Sequence, residues 1–366
     1  MTVAVLDITD FRNLRQARLE LNDGLNLIAG PNASGKTSIL EALYYLGRTR
    51  SFRSRQLKPL IHHQATAFRL LAWVNSGGRQ IPIGIQRSAQ AVTIRVDGQP
   101  ARSLAELAAH LPVLLLNPDS HRLLDDGPQL RRRFLDWGLF HNEATFWPLW
   151  QRFNIALRQR NSALRHSALG RRGDERGVSA WDIELANAGE QLNSLRQTFC
   201  TELLTELQPL AQSILGMGKL SLEYRRGWTQ DLTLLDVLRR DFVLDRQQGH
   251  TRHGPQRADF ILRVDGRAVA ESVSRGQQKL LVSALVLAQA RLFYQRQGRR
   301  CTLLIDDLPA ELDSQSRLRI MQSLAEQPVQ LLITAIEPDI LPISAWPEAN
   351  IFRLMNGAVQ AGCDVV

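Results

Sequence analysis

The opening residues, MTVAVLDITDF, alternate apolar and polar side chains and predict a half-buried strand. GLNLIA at 24–29 is a nearly continuous apolar run, the pattern of a strand covered on both faces, and SILEALYYL at 38–46 follows it with helical spacing. The same buried-strand pattern returns in PVLLL at 112–116, in Leu303–Ile305 and in VQLLI at 329–333. Between them the period changes. Phe146, Leu149, Trp150, Phe153, Leu157 and Leu164 recur at helical spacing, and Trp181, Leu185, Ala188, Leu192, Leu195, Phe199, Leu203, Leu207, Leu210 and Ile214 extend it over a second, longer helix. Thirty-four residues of helix from 181 to 214 span about 50 Å, and GRRGDERG at 170–177 supplies a hairpin loop between the two helices. Both apolar stripes are assigned to packing. The pattern predicts an α/β head in two parts, 1–130 and 251–366, separated by an inserted helical arm, 131–250.

With 366 residues, 44% apolar and 22% charged, the chain has the make-up of a folded protein rather than a disordered one. No apolar run approaches bilayer length, and the opening residues, which hold two aspartates, are expected to form a strand rather than a signal peptide or transit sequence. Cys200, Cys301 and Cys363 are far apart and lack metal spacing, which fits a reducing cytoplasm. The net charge of +9 is more informative, because Lys36, Lys58, Lys219 and Lys279 are the only lysines. An arginine surplus suits phosphate, to which the planar guanidinium donates paired hydrogen bonds, although a genome rich in arginine codons produces the same bias.

The strand–loop–helix context at 24–46 contains GPNASGKTS, a P-loop: Gly30, Pro31, Asn32, Ala33, Ser34, Gly35, Lys36, Thr37 and Ser38. Its backbone N–H groups and the helix N-terminus would cradle the phosphates of ATP, with Lys36 across the β- and γ-phosphates and Thr37 on Mg²⁺. A second acidic piece follows the Leu303–Ile305 strand. Asp306 at its end would hold Mg²⁺, and Asp307 would orient or deprotonate the attacking water. An aspartate there is one methylene shorter than the glutamate common at such positions, so slow hydrolysis is expected.

The long separation of Lys36 from Asp306 means that something is inserted between them. SVSRGQQKLL at 272–281 contains a Ser-x-Gly-Gln step, Ser274, Gly276 and Gln277, about thirty residues before Asp306. The step resembles the signature of ABC and SMC ATPases, in which it touches ATP bound to the opposite protomer. One P-loop and one signature per chain then imply a head-to-tail homodimer sharing two nucleotides. An ordinary helix start, with Ser274 as N-cap, is the plainer alternative. Glu311-Leu312-Asp313 resembles the D-loop that crosses such an interface. Thr334-Ala335 occupies the switch position, where transporter subunits place a histidine, and Asn117 is the candidate γ-phosphate sensor.

Taken together, these residues resemble the RecF family of bacterial recombination and repair proteins over essentially the whole chain. The resemblance is carried further by PDSHRLLDDGPQLRRRFLDW at 118–137, through Pro118, Asp119, Leu123, Leu124, Pro128, Arg131, Arg132, Phe134, Leu135 and Asp136, and by FRN at 11–13 and SFR at 51–53. It departs from the family at Asp126, usually glycine, in GPQRAD at 254–259, which lacks a histidine and an acid, and at Ala310, usually serine. The resemblance implies an ATP-dependent, dimeric DNA-binding protein of the cytoplasm. It would act at gaps or stalled forks, without sequence specificity, and help RecO and RecR to load RecA. Hydrolysis would time release.

Arg48, Arg50, Arg53 and Arg55, after the P-loop helix, are candidate DNA contacts. Arg152, Arg158, Arg160, Arg165, Arg171, Arg172 and Arg196 are expected on the polar faces of the arm. A transporter ATPase subunit without membrane segments of its own and a non-hydrolysing DNA clamp are the rival readings.

Overall fold

The computed structural model describes residues 1–168, 174–307 and 312–360, with side chains up to 166 and again from 177. They form two compact units, one of residues 1–121, 209–216 and 274 onward, the other of 122–208 and 217–273.

The first unit contains two sheets. Strand Thr2–Phe11 pairs antiparallel with Leu14–Glu20 on one side and Ala67–Ser76 on the other, and Arg79–Ser88, Val92–Val96 and Gln99–Pro100 extend the sheet. The second sheet has the order 358–360, 350–355, 25–29, 329–335, 301–305, 113–116, with all neighbours parallel except the first pair. Its three central strands, Leu25–Ala29, Val329–Ala335 and Cys301–Ile305, are buried throughout, as continuous apolar runs require. The P-loop helix, Lys36–Arg48, lies in one core with both sheets: Ile39, Leu40, Leu43 and Leu46 pack with Leu6, Phe68 and Leu70 of the first and with Leu304, Leu332 and Phe352 of the second. Helix Arg275–Gln297 packs against strands 113–116 and 301–305 and buries most of its length. This puts Gly30 and Asp306 at the carboxyl ends of two parallel strands that flank strand 329–335, where α/β sheets bind their ligands.

The second unit is more than a helical arm. Helices Pro128–Asn142, Phe146–Ala168, Asp174–Leu215 up to residue 208, Leu234–Arg240 and Phe242–Gln248 share it with a three-stranded antiparallel sheet, Leu220–Arg225, Asp259–Val264 and Arg267–Ala268. That pairing of 220–225 with 259–264 moves the borders: the sequence pattern places them at 130 and 250, whereas residues 122–130 and 251–273 belong to the second unit. The stretch that carries the family-like pattern fastens this unit internally. Pro128 starts its helix, Arg131 grips Asp259 through Nε and Nη2 at 2.6 and 3.1 Å, Arg132 donates to the Ala258 carbonyl, and Asp136 accepts from Arg196. Asp126 does not occupy the left-handed backbone region, so no glycine is needed there, and its carboxylate pairs with Arg122. Gln256 donates to the His253 carbonyl at 2.8 Å.

Two arginines expected on the solvated face of the arm are inside it. Arg160 is 0% exposed and binds Asp182, Asp245 and Thr251, and Arg196 is 3% exposed. Helical spacing could not separate them from their exposed neighbours Arg152, Arg158 and Arg165, because their partners come from distant segments. Arg171, Arg172 and the first half of the expected hairpin loop lie outside the described residues, and its second half, from Asp174, is already helix. Among the described residues no helix is long and apolar enough to cross a membrane.

Candidate nucleotide site

Strand Leu25–Ala29 delivers the chain into the P-loop at Gly30, where a Cβ would meet the Leu354 carbonyl oxygen at 2.3 Å, so only glycine fits. Gly35 turns the chain into the helix at φ 113, again with no space for a side chain against Leu14. Asn13 braces the loop from outside, donating to the Ala33 carbonyl at 3.2 Å and accepting from Ser38 Oγ at 2.8 Å. The Gly357 N–H holds the Ser34 carbonyl at 3.0 Å. Sequence pattern singles out FRN without a role; this brace supplies one for its asparagine.

Inside the loop, Lys36 Nζ donates to the carbonyls of Gly30 and Pro31 at 2.7 and 2.9 Å. Burial lowers its pKa, and the nearby Asp307 and then Asp306 carboxylates oppose that shift. Thr37 Oγ1 donates to Asp306 Oδ1 at 3.0 Å. The same oxygen accepts from Thr334 Oγ1 at 2.8 Å, and Thr334 Oγ1 accepts from the Asp307 N–H at 2.8 Å. One buried hydroxyl from the neighbouring strand thus fixes both acids, and Asp307 sits in the left-handed region at φ 55. Sequence spacing marks position 334 as the switch, but the bonds require two strands that are adjacent only in the fold. Burial raises the Asp306 pKa above its ordinary value despite these bonds, and the Asp307 charge adds to the rise.

The residues fit a nucleoside triphosphate with Mg²⁺. Ser34 Oγ is buried with no hydrogen-bond partner among the described residues, while Thr37 and Asp306 offer hard oxygen donors side by side. Asn117 Oδ1 accepts from Ser120 Oγ at 2.9 Å, which ties the sensor candidate into its own turn.

The signature step starts helix Arg275–Gln297 with a complete capping box: the Gln277 N–H donates to Ser274 Oγ, and the Ser274 N–H to Gln277 Oε1 at 3.0 Å. Ser274 and Gln277 therefore serve their own chain in this structure. Gly276 does not. It is exposed, has no positive φ, and a Cβ added to it would meet nothing within 4 Å among the described residues. Of the D-loop expectation, Ala310 and Glu311 lie outside the described residues, and Asp313 caps helix Ser314–Ala325 by accepting from the Ser316 N–H.

The four candidate DNA arginines are not equivalent. Arg48 and Arg50 hydrogen-bond the Tyr44 hydroxyl; burial pushes that hydroxyl's pKa up, but the two guanidiniums bring it to a net lowering. Arg53 lies 3.7 Å from the fully buried Glu41, which also binds Arg12 in bidentate fashion at 2.6 and 2.8 Å and accepts from Ser51. Arg55 is exposed.

Residues 2–350 match the family described as RecF/RecN/SMC N terminal domain. The chain is 43% identical over 365 residues to the DNA replication and repair protein RecF of Pseudomonas aeruginosa (strain LESB58), covering 98% of each, and 41% identical to that of Stutzerimonas stutzeri (strain A1501), covering 98% of this chain and 97% of the relative. Among solved structures it superposes on the recombination mediator protein RecF-ATP in the RecFOR pathway with a TM-score of 0.87 at 24% identity, covering 99% of this chain and 97% of that one. The SmcHead bound to the C-winged helix domain of ScpA gives 0.61 at 12%, covering 99% and 97%. At these identities the two structures show a shared fold.

Proposed function

The chain belongs to the RecF/RecN/SMC family, as a member of its RecF branch, and from that premise we propose that it is an ATP-gated DNA-binding repair protein that dimerises head-to-tail on ATP. The observation that carries this reading is Gly276: an exposed glycine in the first turn of a helix, serving no turn and no close approach among the described residues. Glycine there costs helix stability, and open space at a helix N-terminus suits a phosphate presented by a second copy.

Each chain would contribute to two nucleotides. The P-loop amides and Lys36 would bind the phosphates of one, with Lys36 leaving the Gly30 and Pro31 carbonyls to do so. Thr37 and Asp306 would hold Mg²⁺, which when bound neutralises phosphate charge. Asp307, aimed by the Thr334 bond to its N–H, would orient the attacking water, and its short side chain favours slow turnover. From the second copy, the amides around Gly276 would close on the γ-phosphate. Hydrolysis removes that phosphate and releases the closed state.

Arginines 48, 50, 53 and 55 would meet duplex phosphates without reading sequence. Relatives named for DNA replication and repair and the RecFOR pathway support action at gaps or stalled forks with RecO and RecR, towards RecA loading. The test is dissociation from immobilised gapped duplex with ATP, ADP or a slowly hydrolysed ATP analogue. The analogue and an Asp307→Asn variant with ATP should both lengthen residence; equal residence in all states would reduce the nucleotide to a stabiliser of the fold.

A further inference from the structure

Helix Phe146–Ala168 has no acidic residue along its length. Its inner face buries Phe146, Leu149, Phe153, Ala156, Arg160 and Leu164. Trp147 and Trp150 are different: both are only half-buried, and their rings stack with centroids 5.2 Å apart and planes 12° from parallel. Phe140, from the preceding helix, stands edge-on to Trp147 at 5.6 Å. Trp150 therefore departs from the packing role that its place in the apolar stripe suggests.

At about 100° per residue, Trp147, Asn154, Arg158 and Arg165 fall within roughly 20° of one line along the helix, with Trp150 on its flank. Arg158 and Arg165 are exposed and make no ion pair among the described residues, whereas Arg152, on another face, is held by Glu184 at 2.9 Å. The row from Trp147 to Arg165 is about 27 Å long at 1.5 Å per residue. It joins a flat aromatic surface to two free guanidiniums.

We propose that this row is a track for single-stranded DNA, with unpaired bases stacking on Trp147 and Trp150 and the phosphates running past Arg158 and Arg165. The inference rests on the DNA-binding reading above and adds a second, structurally distinct contact. Duplex DNA keeps its bases stacked inside, so only an unpaired base presents a free face to an indole. An aromatic stack beside an acid-free arginine row matches both halves of that ligand: apolar planes and negative charges. Such a track favours gapped over intact duplex without any reading of sequence.

The experiment measures binding of the full chain, with the slowly hydrolysed ATP analogue, to a fluorescent oligo(dT), to an abasic strand of the same length and to a blunt duplex. Trp147→Leu and Trp150→Leu, which keep apolar volume but remove the flat ring, should each weaken oligo(dT) binding by about tenfold and leave the duplex within about twofold. The Phe variants should retain most of the affinity. The abasic strand should bind the wild type no better than oligo(dT) binds the Leu variants, and Arg158→Ser should lower the salt dependence by about one phosphate contact. Unchanged oligo(dT) affinity in the Leu variants, or an equal loss on duplex, overturns the track. Wild type that binds duplex but not oligo(dT) overturns it alone; binding to neither removes the DNA-binding reading as well. Melting temperatures of the Leu and Phe variants within a few degrees of wild type establish that the fold is kept.

Discussion

Replacing Gly276 by aspartate separates a residue kept for its own chain from one kept for a partner's ligand. Within the chain the change is benign: the new Cβ meets nothing within 4 Å, and φ is not in the left-handed region. Glycine is among the poorest helix formers, and a carboxylate in the first turn interacts with the helix dipole by about 0.3–1 kcal/mol. The monomer should therefore melt at or slightly above the wild-type temperature. Against a γ-phosphate the same carboxylate is a charge clash of about 4 kcal/mol at roughly 4 Å and an effective dielectric near 20. That corresponds to about a thousandfold loss per shared nucleotide. Sedimentation velocity with no nucleotide, ADP and a slowly hydrolysed ATP analogue reads the dimer, and calorimetry reads the monomer. A wild-type dimer seen only with the analogue and abolished in Gly276→Asp is expected. A variant that dimerises as tightly as wild type refutes the reasoning, and so does one whose monomer melts several degrees lower, since Gly276 would then serve its own chain. Ser274→Arg is a poorer probe because it also removes the capping box.

Three further outcomes follow from the geometry. Thr334→Val keeps the shape but removes the donor to Asp306 and the acceptor for the Asp307 N–H; stability should fall by about 1–3 kcal/mol in urea, and phosphate release should drop while analogue binding persists, with Thr334→Ser restoring both. Burial raises Asp306 above its ordinary 3.8, so the native state binds that proton more tightly than the unfolded chain; without Mg²⁺, stability should fall as pH rises from 3.8 through the native pKa, and Asp306→Asn should remove this component and be the more stable protein at neutral pH. Arg160→Met strands the buried Asp182 and Asp245 carboxylates and should cost about 3–5 kcal/mol by denaturant unfolding, whereas Arg152→Met, in an exposed pair, should leave the unfolding midpoint essentially unchanged.

The P-loop half of the candidate site is legible in the sequence because its pieces are local: the loop, its lysine and its threonine occupy nine consecutive positions, and Asp306–Asp307 end one apolar strand. What binds those pieces together is not local. Thr334 reaches the acids only because strands 301–305 and 329–335 are neighbours, and Asn13 reaches the loop from a turn twenty residues earlier. The second unit is harder still. Its sheet pairs residues almost forty positions apart, which the helical period around it conceals, so the expected border at 250 cuts through a body that the contacts hold together to 273. Arg160 shows the limit of pattern reading on a single residue: a long cation is assigned to solvent unless its two carboxylates, at 182 and 245, are already known to be at hand.

The strand that feeds the P-loop has both of its sheet neighbours, 329–335 and 350–355, from the far end of the chain. A ribosome that has released the first three hundred residues has therefore made a loop with no sheet to stand in. The antiparallel strands between residues 2 and 100 can pair by local closure, but the parallel sheet must wait for contacts more than three hundred residues apart, which are intrinsically slow to form. Until then the apolar run LNLIA has two open edges, and the nascent head is exposed to misassociation at the strand that leads into the P-loop. The parallel sheet that carries the P-loop is thus the last part of this fold that the chain can complete during synthesis.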